Sequence, residues 1–74
     1  MKNQVTAFGI LQALKNLGWF RTTREIAEEA NIETTSENLQ QIKDELFDFA
    51  ELGIVEIFSL PTSKTRKFRL LDNQ

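Results

Sequence analysis

No cysteine, histidine or tyrosine occurs among the 74 residues, and there are only one proline, one methionine, one tryptophan and three glycines. Each shortage excludes something. Without cysteine, no disulfide or thiolate metal site can staple the fold. Without histidine as well, the usual proton shuttle, the thiol nucleophile and most zinc ligands are missing. Catalysis would have to rest on carboxylates, Ser, Thr or Lys alone. Gly9, Gly18 and Gly53 are too scattered to spell a phosphate-cradling loop. The sequence therefore points away from an enzyme and requires no cofactor and no metal. Asp44 and Asp48 at i, i+4 have hard-cation spacing, but they read first as part of a solvated acidic face.

Long apolar runs are also absent. Nothing approaches the roughly 18 consecutive apolar residues of a membrane span, and no charged start followed by an apolar run marks a signal peptide. A soluble, cytoplasmic chain with no membrane partner is the expectation. The net charge of −2 is not the strong positive excess typical of a nucleic-acid binder. What the sequence does supply is apolar residues for a core: six Phe, one Trp, and Leu and Ile at regular intervals. One domain of this size buries only roughly 60% of its unfolded surface, so the core is thin.

Periodicity places the elements. Phe8, Leu11, Leu14 and Leu17 form an i, i+3 row, widened by Val5, Ala7 and Ile10, which predicts a helix over about 4–17 with Asn3 as N-cap and Gly18 as its left-handed stop. Gly9 inside it either admits another backbone closely or is simply tolerated. Trp19-Phe20-Arg21 suits a brief extended piece leading into the next helix. Thr22-Thr23-Arg24-Glu25 spells a capping box, a Thr followed three positions later by Glu, and opens a helix over about 23–30 with Ile26, Ala27 and Ala30 facing inward. Asn31 tolerates the left-handed conformation that ends it, and Ile32 then plugs the core. Thr34-Thr35-Ser36-Glu37 repeats the box and opens a helix over about 35–52, whose stripe is Leu39, Ile42, Leu46 and Phe49; Gly53 stops it. Residues 54–60 and 66–71 read as two strands around a turn at Pro61–Thr65, with Phe68 and Leu70 on one face and Lys67 and Arg69 on the other. Asp72-Asn73-Gln74 reads as a tail.

Helix, extended piece, helix, helix, hairpin is an α+β order in a single domain. Over roughly residues 4–71 it resembles the winged-helix family. Thr23-Arg24-Glu25-Ile26-Ala27-Glu28-Glu29-Ala30-Asn31-Ile32 is similar to the opening of helix-turn-helix units, where a small Ala lets helices cross closely. Leu46-x-x-Phe49-x-x-x-Gly53-Ile54-Val55 is similar to the junction between a recognition helix and the first wing strand. One feature departs: the connection Asn31–Thr35 is longer than the tight turn usual in the family. The resemblance implies double-stranded DNA as partner, a third helix that enters the major groove and a two-stranded wing that touches backbone or minor groove. On that implication Thr35, Ser36, Asn38, Gln40, Gln41 and Lys43 would act from the third helix. Lys64, Arg66, Lys67 and Arg69 would act from the wing, and Arg21 and Arg24 would contact phosphate beside the second helix.

The helical wheel pulls the other way. Opposite the apolar stripe of the third helix lie Glu37, Gln40, Gln41, Asp44, Asp48 and Glu51, four of them acidic. Phosphate repels that face unless the helix enters by its N-terminus. Two expectations follow. The first is a small DNA-binding transcriptional regulator, acting as a homodimer because one thin domain offers few base contacts, of a size that suits a phage or mobile-element protein. The alternative is a protein-interaction domain in which Asp44, Phe47, Asp48 and Glu51 dock a basic partner or mimic DNA. The basic residues of the hairpin have a blander role as well, namely guarding an exposed strand edge.

Overall fold

Thr6 opens the first helix: its side chain accepts a hydrogen bond from the Gly9 N–H at 3.0 Å. α1 therefore spans Ala7–Leu17 and starts later than the apolar row suggests. Asn3, expected as the cap, is used elsewhere. Its N–H donates to the Asn31 carbonyl at 2.7 Å and its Nδ2 to the Ala30 carbonyl at 2.9 Å, tying the leading segment to the end of the second helix. Gly9 admits no neighbouring backbone. A Cβ there would meet the Thr6 hydroxyl at 2.9 Å, so the glycine makes room for the cap. Gly18 ends the helix at φ 73°, as the sequence predicts.

In this computed structural model, which describes residues 1–71, the remaining elements follow in order. β1 is Arg21–Thr22, α2 Thr23–Glu29, α3 Ser36–Glu51, β2 Val55–Ser59 and β3 Arg66–Leu70. The tail 72–74 lies outside the described residues. The capping box of α2 is formed in both directions: the Glu25 N–H donates to the Thr22 hydroxyl, and the Thr22 N–H donates to the Glu25 carboxylate at 3.0 Å. Asn31 adopts φ 58° and Ile32 turns into the core. α3 is capped one residue later than its sequence box suggests, by Thr35, whose hydroxyl accepts from the Asn38 N–H at 3.2 Å.

The described residues form three helices and a three-stranded antiparallel sheet in the order β1-β3-β2. The expected two-stranded hairpin is thus extended by the short piece before α2: Arg21 pairs with Phe68 and Thr22 with Lys67. β2 pairs with β3 in the register Val55 to Leu70, Ile57 to Phe68 and Ser59 to Arg66. β3 is consequently the central strand. Its Phe68 is fully buried and meets Ile10 and Leu14 of α1, Ile26 of α2, and Ile42, Leu46 and Phe49 of α3 in one apolar cluster. Phe8, expected in the inner row of α1, is instead 78% exposed, because Ile10, Ala13 and Leu14 form the buried face. The α3 stripe holds at Ile42, Leu46 and Phe49, with Leu39 half-buried at its leading end. Among the described residues, no helix is long and apolar enough to cross a membrane.

Candidate nucleic-acid interface

Strand alternation and the α3 helix together decide where the basic residues go. Arg66 and Phe68 lie on the same face of β3, which packs toward the helices, and Lys67 and Arg69 lie on the other. Arg66 accordingly reaches α3, with its guanidinium 5.5 Å from the centre of the Phe47 ring. Phe47 stands edge-on to Phe68, centroids 6.1 Å apart, and is half-buried. It is a packing residue between α3 and the hairpin, not the free anchor that a docking role for Phe47 would use.

Between the start of α2, the leading half of α3 and the β2–β3 loop runs an open groove of about 500 Å³. It is lined by Thr22, Thr23, Arg24, Ser36, Leu39, Gln40, Lys43, Lys64, Thr65 and Arg66. Four of these side chains are cations and none is a carboxylate. In a chain that carries eleven acidic and nine basic residues, that segregation is the main electrostatic feature of the groove. Hydroxyls from Thr22, Thr23, Ser36 and Thr65 and the Gln40 amide add hydrogen-bonding groups suited to phosphate or a base edge.

Of the twelve candidate DNA contacts, the groove gathers Arg24, Ser36, Gln40, Lys43, Lys64 and Arg66. The other six sit elsewhere. Thr35 caps α3, and Asn38 is tied down by donating its Nδ2 to the Glu33 carbonyl at 2.9 Å. Gln41 lines a separate shallow depression with Glu33 and Glu37. Arg21 lies in β1, across from Phe68. Lys67 falls on the outer sheet face, opposite Thr22. Arg69 is held there as well: its Nε donates to the Glu56 carboxylate at 2.7 Å, and its guanidinium stands 5.3 Å and 5.2 Å from the Trp19 and Phe20 ring centres. The four wing cations are neighbours in the sequence, but the strand period of two divides them. Thr22, Thr23 and Thr65 carry no site signal in the sequence, because their positions depend on how α2 and the loop meet.

The acidic face of α3 stands beside the groove. Glu37, Asp44, Asp48 and Glu51 are exposed and none of them lines it. Gln40 joins the two surfaces, donating its Nε2 to Asp44 at 2.9 Å. Glu25, at the mouth of α2, has its carboxyl held below the usual glutamate range, chiefly by the Thr22 N–H, helped by the Thr22 hydroxyl and by the charges of Arg21 and Lys67. Compared with protein-family models, curated proteins and solved structures, the chain matches none of them.

Proposed function

We propose that the chain is a winged-helix DNA-binding domain, a small transcriptional regulator that seats duplex DNA in the groove between α2, α3 and the β2–β3 loop. The observation that carries this reading is the gathering of Arg24, Lys43, Lys64 and Arg66 in one groove, with no carboxylate among the described residues that line it. Phosphate neutralisation supplies most of the affinity of such domains, and a duplex seated there leaves Asp44 and Asp48 on the flank of α3. Ser36 and Gln40, on the leading turns of the helix, are the residues suited to base edges, Gln40 by pairing with adenine once it releases Asp44.

Four neutralised phosphates give a slope of about −3.6 for log K against log salt, so binding of a labelled duplex should weaken about 100-fold between 50 and 200 mM salt. Lys64→Ala should reduce the slope by about 1. Binding that ignores salt, or a slope unchanged by Lys64→Ala, would overturn the proposal.

The second reading, a basic protein partner on α3, is supported by the exposed carboxylates of Glu37, Asp44, Asp48 and Glu51 alone, since Phe47 is engaged by Phe68 and Arg66. It predicts a partner lost on Asp44→Lys with Asp48→Lys, and those reversals should strengthen DNA binding if the first reading holds.

A further inference from the structure

The free edge of the sheet is unguarded. Proteins commonly protect an edge strand with Lys, Pro, a bulge or brevity. At one edge, β1 is only two residues long and runs straight into α2, so brevity protects it. At the other edge, β2 pairs with β3 in unbroken register over five residues, Val55-Glu56-Ile57-Phe58-Ser59, with no Lys, Pro or Gly among them. The basic residues of the hairpin strands, Arg66, Lys67 and Arg69, all belong to the central strand and cannot guard the edge.

The ladder fixes which backbone groups the edge offers. The Leu71 N–H donates to the Ile54 carbonyl at 2.8 Å, so Ile54, Glu56 and Phe58 turn their backbone groups toward β3. By alternation Val55, Ile57 and Ser59 turn theirs outward; Val55 is only 3% exposed, so the accessible part of the edge is Ile57 and Ser59. Beside them, Phe58 is 43% and Leu60 51% exposed.

We propose that β2 pairs antiparallel with β2 of a second copy of this chain, about a two-fold axis at Ile57, to give one continuous six-stranded sheet. The edge is complementary to itself in that register. Ile57 meets the partner's Ile57 and exchanges both of its hydrogen bonds; Ser59 meets the partner's Val55, whose covered backbone has to open as the strands pair. Phe58 lies against the partner's Glu56, and Leu60 falls opposite the partner's Ile54. No like charges face each other, because the only charged residue of the edge, Glu56, is already neutralised by Arg69 at 2.7 Å. This pairing does not depend on the DNA reading, and it uses a surface that the groove leaves free.

Sedimentation equilibrium and amide hydrogen exchange, both run without DNA, test it. The mass should rise from 8.6 kDa toward twice that value with concentration, and the Ile57 and Ser59 amides should become protected over the same range. Ser59→Pro removes an outward N–H without touching the β3 ladder, so the monomer still folds by circular dichroism. Two lost hydrogen bonds per dimer at about fivefold each should weaken association about 30-fold. A chain that stays monomeric at millimolar concentration with those two amides exchanging freely would overturn the proposal, and so would a dimer that Ser59→Pro leaves intact.

Discussion

Arg66 is placed for two purposes, and comparison with Lys64 separates them. Its charge faces the groove, and its guanidinium lies over Phe47. Arg66→Ala should weaken duplex binding and also lower stability by about 0.5–1 kcal/mol, the worth of an exposed cation–π contact. Lys64→Ala should affect binding alone, since Lys64 is an exposed loop residue. Urea unfolding of both variants checks the split. Thr22 and Glu25 form a second residue-scale device. Thr22→Ala removes the cap hydroxyl and should cost about 1 kcal/mol. Because the Glu25 carboxyl titrates lower in the folded chain than in the unfolded one, protonating it favours unfolding. Its contribution is complete above the ordinary glutamate pKa and is lost as the pH falls through the depressed folded value. Glu25→Gln should therefore flatten the decline of stability on the acid side, below about pH 4.5, where wild type loses this contribution. Unfolding midpoints measured from pH 6 to pH 3 test this; an unchanged acid limb would contradict it.

Among the elements, the central strand carries the most. Phe68 is fully buried, has strands on both sides and stands against Phe47. Truncation to Ala should cost about 3–5 kcal/mol, most of what a domain of this size holds. Thermal unfolding should show a midpoint lowered by at least about 15 °C; a loss below about 5 °C would mean that the core is centred elsewhere. The helices were largely legible in the sequence, because their signals are local. The α2 capping box, the left-handed Gly18 and Asn31, and the Ile42-Leu46-Phe49 stripe need only neighbouring residues. What was illegible needed partners distant in the chain. Phe8 satisfied helical spacing but falls outside the face that α2 and the sheet cover. Asn3 had a cap's chemistry and was claimed by Ala30 and Asn31, 27 and more positions away. Arg21-Thr22 is too short to show a period, and only the presence of β3 makes it a strand.

For the molecule as a whole, the same limit applies to the candidate site. The residue types were visible, but the groove is assembled from three separate segments. Only their packing puts Arg24, Lys43, Lys64 and Arg66 together, sends Lys67 and Arg69 to the opposite sheet face, and leaves the acidic residues of α3 beside the groove. Net charge is a poor guide for the same reason: a total of −2 conceals a groove lined, among the described residues, by four cations and no carboxylate. The groove is tested most directly by a map of backbone amide shifts as a duplex is added at low salt. Thr23, Ser36, Gln40, Lys43 and Thr65 should move together, while Trp19 on the outer sheet face and Asp48 on the far side of α3 stay in place. Shifts centred on Asp48 and Gln41, or on Trp19 and Phe58, with the groove residues silent, would contradict the account.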